Sequence, residues 1–264
     1  MRPWKLSHLI RIASLEAIAI LVLNSPACQA EHPSTKPIRV ALYADEGATI
    51  KSLPEVINCL PKSDGFDVTK ISAEALRGNA LDRCDVVIFP GGSGSGEGNA
   101  LGGDGRNRVR EFVKRGGGYI GICAGAYLAS IEYPWSLGLL NAHVLDRAHW
   151  DRGTGNVTLK IATAGHDTLR ADGDSCTIHY ENGPLLGPGQ KEGVQDYELL
   201  ASFDSEMTQH APPGTMKGTT AIARGKFGDG RVFCFSPHPE KTPGQQTFLQ
   251  AAARWVARRD DQTQ

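Results

Sequence analysis

Two short segments of this 264-residue chain carry side chains that can together perform nucleophilic chemistry. Gly121-Ile-Cys-Ala-Gly125 follows one strand-like apolar run, and Pro237-His-Pro-Glu240 follows another. They supply a thiol, an imidazole and a carboxylate, which are a nucleophile, a base and a group that orients the base. This set is the minimum for cysteine-dependent acyl transfer.

The cysteine segment has the pattern of a nucleophile elbow, in which a sharp turn between a strand and a helix needs small flanking residues. It predicts that Cys123 projects above a sheet at the positive end of the next helix, where thiolates are favoured. The Ala124 N–H would face the substrate oxygen, and a second donor at Gly92 would complete an oxyanion hole. A buried structural cysteine in a glycine-rich turn is the alternative interpretation.

His238 and Glu240 are two residues apart in a segment that we expect to be extended, so both side chains point the same way. Pro239 restricts the backbone between them. The spacing predicts that the carboxylate orients the imidazole and stabilises its charged form, as the third member of a triad. A surface histidine without a catalytic role is the alternative.

The elements that must position these residues alternate between strand and helix in the first half of the domain. The apolar patterns predict strands at 38–43, 66–71, 85–89 and 119–122. Alternation with short loops favours a parallel, doubly wound sheet. Glu46, the Gly91-Gly92 loop and Cys123 all follow strands, at the edge of such a sheet where ligands bind.

Residues 139–235 have a different pattern, with short strand-like runs between Gly, Pro and Asp turns. We expect an antiparallel β insert with a hairpin turn over 227–232 and strands at 157–161, 176–180, 198–203 and 219–223. A last helix is predicted from the apolar stripe that is formed by Phe248, Leu249, Ala252, Trp255 and Val256. The sequence therefore predicts one α/β domain over residues 37–258.

Several of these segments resemble the class I glutamine amidotransferase-like superfamily. The resemblance rests on Phe89-Pro-Gly-Gly92, Tyr119-Ile-Gly-Ile-Cys-Ala-Gly-Ala-Tyr127 and Phe235-Ser-Pro-His-Pro-Glu240. Tyr180-Glu-Asn-Gly-Pro184 and Arg152-Gly-Thr-Gly155 resemble one branch of it, the N-terminal domain of biotin–protein ligases. The resemblance implies a flavodoxin-like, mostly parallel sheet that carries the antiparallel insert.

Carried over by position, the resemblance implies Cys123 as the nucleophile, His238 as the base and Glu240 as the orienting acid. Superfamily members that use glutamine carry a Gln shortly after the elbow. Here that stretch is Ala126-Tyr127-Leu128, which argues against glutamine as the substrate.

Two polar clusters, His149–Arg152 and His179–Asn182, fall in the insert. An insert of this kind can fold over the site and select the ligand. We expect Tyr127, Tyr180 and Asn182 to contact the substrate. The alternative is that these clusters are surface polar residues around aromatic rings that face the core.

The 28 basic and 29 acidic residues give no reason to expect nucleic acid or an anionic membrane as a partner. Residues 1–30 have the pattern of a secretory leader that is cut after Ala30, with a basic start and an apolar run too short to span a bilayer. An amphipathic helix, or acylation at Cys28, is the alternative. We expect a spacer at 31–36, a polar tail at 259–264, and no transmembrane segment in the mature chain.

Removal of the leader would leave five cysteines, so at least one thiol stays free, and Cys123 is the candidate. Cys59 and Cys84 are predicted at the same edge of the sheet, where a disulfide would fit export to an oxidising compartment. Two buried thiols are the alternative, and a pairing of Cys176 with Cys234 stays open. No Cys or His spacing indicates a metal site, and no cofactor is implied.

These observations predict an exported protein, periplasmic or extracellular, that acts as a Cys-His-Glu hydrolase or amidase. Its ligand would be a small molecule or a peptide-like amide, and its oligomeric state stays open. Two alternatives remain. One is a catalytically silent ligand-binding module of the biotin–protein ligase N-terminal type, and the other is a cytosolic amidotransferase-like subunit that has no leader.

Overall fold

The structure is a computed structural model that describes Met1 and residues 36–258. Apart from Met1 and Lys36, the predicted leader, spacer and tail lie outside the described residues.

The described residues form one mixed sheet of eleven strands. Their bounds are β1 (Ile38–Tyr43), β2 (Phe66–Ile71), β3 (Val86–Phe89), β4 (Gly118–Ile122), β5 (Ala142–Val144), β6 (Thr154–Ile161), β7 (Ser175–Glu181), β8 (Leu186–Pro188), β9 (Glu198–Phe203), β10 (Thr220–Phe227) and β11 (Gly230–Phe235). The main order is β2-β1-β3-β4-β11-β10-β9-β6-β7, and β8 pairs with both β5 and β10.

The first five strands of this order are parallel, and the pairs beyond β11 are antiparallel. The parallel half has the flavodoxin-like order with β11 as its fifth strand, so the predicted fold class is confirmed. In the β4–β11 pair, Ile122 lies opposite Phe235. This register brings the residues that follow both strands, Cys123 and the 237–240 segment, to the same edge of the sheet.

Six α-helices are present among the described residues. They are α1 (Leu53–Cys59), α2 (Ala73–Arg77), α3 (Gly94–Lys114), α4 (Ala124–Ala129), α5 (Thr163–Leu169) and α6 (Gln246–Val256). Helix α3 is interrupted at Gly102, where φ is 64°. No helix in the described part of the chain is both long and apolar enough to cross a bilayer.

The sheet is covered on both faces because neighbouring residues of its central strands enter different cores. Val40 and Leu42 of β1 belong to one buried apolar cluster, whereas Ala41 and Tyr43 belong to the other. Strand β3 is buried along its whole length, as its continuous apolar run predicts. Burial on both faces fixes the register of the central strands, and therefore the positions of the loops that follow them.

The two cores also show why the predicted Cys59–Cys84 disulfide is absent. Both residues are free thiols. Cys59 lies in the cluster that contains Val40, whereas Cys84 packs against the cluster that contains Ala41. The two side chains therefore lie on opposite faces of the sheet, and a shared edge does not bring them together. Cys176 and Cys234 are free as well.

Candidate active site

Cys123 lies at the turn from β4 into α4, in a backbone conformation that side chains rarely adopt. Its φ is 50° and its ψ is −98°. A non-glycine residue in such a conformation is strained, and strain of this kind concentrates at functional sites. The thiol is 6% exposed. The conformation is that of a nucleophile elbow.

Close contacts explain the two glycines of the elbow. A Cβ atom on Gly121 would lie 2.4 Å from the carbonyl of Gly125, and one on Gly125 would lie 2.2 Å from the carbonyl oxygen of Phe89. Neither distance is compatible with a side chain. The pattern Gly-x-Cys-x-Gly is therefore required by the turn that presents Cys123.

His238 and Glu240 form a buried pair beside this elbow. The imidazole Nδ1 lies 2.7 Å from the Glu240 Oε1 atom, and the two residues are 1% and 5% exposed. The backbone turns at Pro239–Lys241 as a short 3-10 helix, so the expected extended segment is wrong, although the two side chains still meet. Burial opposes a charge on the ring, but the attraction of Glu240 and Cys123 raises the pKa of His238 to about 10.

The thiol of Cys123 is in contact with the insert as well as with this pair. Its Sγ–H donates to the backbone oxygen of Glu181, 3.2 Å away. The Nε2 atom of His238 makes no hydrogen bond within the described residues, and the Glu181 Oε2 atom lies 3.7 Å from it. Glu181 therefore reaches both the nucleophile and the base.

Glu181 is the centre of a cationic cluster that was not assigned from the sequence. Lys241 Nζ lies 2.6 Å from its Oε2, and His179 Nε2 lies 2.8 Å from its Oε1. Burial alone would raise the pKa of Glu181, but hydrogen bonds from Lys241 and His179 and the charge of His238 lower it to about 2. The indication in the sequence was the His-x-Glu spacing at 179–181, which repeats that of His238 and Glu240.

The two expected oxyanion donors are both available. None of the hydrogen bonds of the described residues uses the N–H of Gly92 or the N–H of Ala124 as its donor. Gly92 is exposed, and Ala124 directly follows Cys123 at the start of α4. Two free N–H groups of this kind can stabilise negative charge on a substrate oxygen.

A cavity of about 900 Å³ opens beside the elbow and is bordered by both sheet halves. It is lined by Thr49, Gly92, Ser93, Gly94, Ser95, Tyr127, Tyr133, Trp135, Arg147, Ala148, Trp150, Thr154, Glu181 and Asn182. Two of the three expected substrate contacts, Tyr127 and Asn182, are among them. The expectation for Tyr180 is wrong, because its ring is fully buried in the core and its hydroxyl donates to the Gly183 oxygen at 2.7 Å.

Glu97 in the first turn of α3 is a further titratable group that the sequence analysis missed. It has no exposed surface, and neither of its carboxyl oxygens has a hydrogen-bond partner among the described residues. Burial, with a smaller contribution from Cys123, raises the pKa of Glu97 well above its ordinary value. Nothing in the sequence around Glu97 indicates its burial, because glycines and serines surround it.

Comparison with known proteins confirms the resemblance. Residues 38–148 match the family described as biotin-protein ligase, N terminal, a range that contains Cys123 and ends before His238. An uncharacterized protein of Chlamydia muridarum is 27% identical over 100 residues, which are 36% of this chain and 39% of that protein. The chain thus spans about two fifths of the length of that curated relative.

Solved structures share the fold. PurLQS from Thermotoga maritima is 17% identical with a TM-score of 0.58, over 84% of this chain and 100% of its own. A glutamine amidotransferase is 21% identical with a TM-score of 0.55, over 81% and 98%. A ThuA-like protein from Parabacteroides merdae is 13% identical with a TM-score of 0.57, over 84% and 90%. The domain therefore has the class I glutamine amidotransferase-like fold.

Proposed function

We propose that this protein is a cysteine-dependent hydrolase or amidase that acts on a small amide or peptide-like bond. The observation that carries the proposal is the strained backbone of Cys123, at φ 50° and ψ −98°, next to the buried His238–Glu240 pair. A thiol that served only packing would not need this conformation. Glutamine is not proposed as the substrate, because Tyr127 and its neighbours replace the usual Gln.

In the proposed reaction, His238 takes the thiol proton, and Cys123 Sγ forms a bond to the amide carbonyl carbon. The carbonyl oxygen becomes negative and is stabilised by the N–H groups of Gly92 and Ala124. The C–N bond then breaks as His238 returns the proton to the amine nitrogen, which leaves a thioester.

Water completes the turnover in the same site. His238 takes a proton from water, the hydroxyl adds to the thioester carbon, and the C–S bond breaks as the proton returns to Sγ. The sum is one amide and one water converted to one carboxylic acid and one amine. Glu240 holds the imidazole in the orientation that both proton transfers need.

The rate of iodoacetamide labelling at Cys123, followed against pH by peptide mass spectrometry, tests whether this nucleophile is assembled. We expect rapid labelling at neutral pH that becomes at least about tenfold slower in His238→Ala, because the imidazolium stabilises the thiolate. His166→Ala is the matched control, since His166 lies on α5 and pairs with Asp174. Equal rates in wild type and His238→Ala would refute the proposal.

A second candidate function, ligand binding without turnover, is favoured by one observation. The Cys123 thiol donates to the backbone oxygen of Glu181, and the Glu181 Oε2 atom lies 3.7 Å from the Nε2 atom of His238. Glu181 therefore already contacts both the nucleophile and the base. A ligand that binds Cys123→Ser and wild type equally, and that wild type never converts, would support this function. Release of an amine from the ligand by wild type alone would exclude it.

We also propose that the protein is exported, on the basis of the basic start, the apolar run and the small residues that precede Ala30. Mass determination of the protein from periplasmic and cytosolic fractions tests this proposal. A mature chain that begins after Ala30 outside the cytosol is expected. An intact Met1 in the cytosolic fraction would favour the amidotransferase-like subunit instead.

A further inference from the structure

The cavity beside Cys123 is rich in groups that form neutral hydrogen bonds. Exposed hydroxyl-bearing residues line it from three parts of the chain: Thr49, Ser93 and Ser95, and Thr154. The amide-bearing residue Asn182 completes this set, although its Oδ1 already accepts from the Gly153 N–H. Hydroxyl groups both donate and accept, so they suit a ligand that does the same.

The charged groups of the cavity are already compensated by the protein. Arg147 NH1 lies 2.8 Å from the Glu132 Oε1 atom. Glu181 is bound by Lys241 and His179 at 2.6 and 2.8 Å. An anionic or cationic ligand would therefore find no unpaired opposite charge in this lining, and a neutral polar ligand is favoured.

Trp150 is the large exposed aromatic residue of the cavity lining. Tyr133 is stacked on Trp135 with ring centroids 4.4 Å apart, and the Arg147 guanidinium lies 5.4 Å from the Tyr133 centroid. Trp150 is 59% exposed and has no ring contact among the described residues. Its indole lines the cavity from the loop between β5 and β6 and keeps exposed surface on which a ligand can stack.

We propose that this cavity is a saccharide-binding site, and that the amide substrate carries a pyranose ring which stacks on Trp150. A pyranose presents apolar C–H groups on its faces and hydroxyls at its edge, which matches an exposed indole and a lining with hydroxyl groups, although Ser93 Oγ already accepts from the Gly96 N–H and lies 3.2 Å from Ser95 Oγ. The cavity, at about 900 Å³, lies at the upper end of the range for small-molecule sites and accommodates more than one sugar ring.

The position of the cavity links the sugar to the reaction. Glu181 belongs both to the cavity wall and to the surroundings of Cys123, and a Cβ atom on Gly94, which also lines the cavity, would lie 3.0 Å from the Ala124 oxygen. An N-acyl group on the sugar would supply the amide bond on which the proposed hydrolase acts. This assignment of substrate class rests on the proposed function, although saccharide binding itself does not require turnover.

Binding of N,N′-diacetylchitobiose to the full chain with Cys123→Ser tests the inference, with saturation-transfer NMR and tryptophan fluorescence as readouts. We expect saturation transfer to the C–H groups of a pyranose ring. Trp150→Ala should weaken binding by about tenfold, because it removes the stacking surface. Thr154→Val, which removes one hydroxyl, should weaken it severalfold.

Leu145→Ala is the matched control, since Leu145 is an exposed apolar residue of the same loop outside the cavity lining. It should bind the disaccharide as the parent does. Absence of disaccharide binding, tighter binding of benzoate than of the disaccharide, or equal weakening by Trp150→Ala and Leu145→Ala would each overturn the inference. Disaccharide binding without any effect of His238→Ala on labelling would instead refute the hydrolase and keep the saccharide site.

Discussion

Two His-x-Glu pairs, one at the end of each half of the sheet, meet at the candidate site. His238 and Glu240 follow β11 in the parallel half, whereas His179 and Glu181 end β7 in the antiparallel half. The two histidines form a bridge, in which the His238 N–H donates to the His179 oxygen at 2.8 Å. Both pairs join imidazole to carboxylate within 2.8 Å, so spacing and distance do not distinguish them.

Their surroundings distinguish them. The first pair is buried. Burial lowers the pKa of His238, but attraction by Glu240 and Cys123 is larger and raises that pKa to about 10. The second pair is partly open to solvent, and its carboxylate is shared with Lys241. In a triad, the histidine that acts as general base is oriented by a buried carboxylate. Burial, more than sequence spacing, therefore identifies the catalytic candidate.

The largest expected effect is on the buried pair. Glu240→Gln should reduce amide turnover by on the order of 10³-fold or more, because the imidazole loses both its orientation and its counter-charge. It should also slow iodoacetamide labelling of Cys123 at neutral pH. Circular dichroism would verify that the variant is folded. Turnover within a few fold of wild type would show that the two pairs do not differ in the way proposed.

A third carboxyl, that of Glu97, is buried without a hydrogen-bond partner in the part of the chain that the structure describes. Its folded pKa is raised, so the folded state keeps a proton that the unfolded chain loses above its ordinary pKa near 4.5. Stability therefore falls by about 1.4 kcal/mol for each pH unit above that value, until the folded pKa is reached. Urea unfolding of wild type at pH values just above 4.5 should include this contribution.

Glu97→Gln should remove that slope, because a neutral amide cannot titrate. Glu55→Gln is the control, since Glu55 is an exposed acid in the first turn of another helix. If the two variants have the same pH dependence of unfolding, Glu97 does not carry a retained proton.

The open pair should be more tolerant. We expect Glu181→Gln to change turnover by less than about tenfold, since a partly exposed ion pair contributes little. Its folded pKa, lowered to about 2, means that its stabilising contribution exists above the ordinary value near 4.5 and is lost as pH falls toward 2. Acid unfolding of Glu181→Gln should therefore be less steep than that of wild type. A loss of turnover as large as that of Glu240→Gln would make Glu181 part of the machinery.

The smallest effect is expected for His179→Asn. Among the described residues, the hydrogen bond of its side chain goes to Glu181, which keeps Lys241 as a partner. Turnover within about twofold of wild type is expected for a partly exposed pair. A kinetic defect comparable to that of His238→Ala would mean that the bridge between the two halves, rather than burial, matters.

The parallel half of the fold was predictable because its signals are local. The apolar run of β3 and the turns that follow β3 and β4 identify strands buried on both faces. The glycines on either side of Cys123 indicate the close backbone contacts of the elbow. The predictions that failed concern residues whose contacts depend on which face of the sheet they occupy. Cys59 and Cys84 share an edge but lie on opposite faces, and Tyr180 points into the core while its neighbours line the cavity.

Other parts of the site depend on contacts between distant segments. The loop near Gly47 lies against the backbone of Glu97, and no pattern in the sequence around Glu97 encodes that contact. The charged state of Glu181 is stabilised by Lys241, which is 60 residues away in the sequence. Such long-range contacts depend on how the two sheet halves pack. A sequence pattern can therefore show that a titratable residue is present, but not which residue it contacts.

The free thiols give the molecule a built-in reporter of its own unfolding. Burial raises the pKa of Cys59 to about 12 and that of Cys176 to about 11, and it raises the pKa of Cys84 and Cys234 as well. Within residues 36–258, alkylation of the native protein should therefore be fastest at Cys123. A label on Cys59 or Cys234, which are buried in the two cores, would mark a molecule whose core has opened, so peptide mass spectrometry would separate reactivity at the elbow from global opening of the fold.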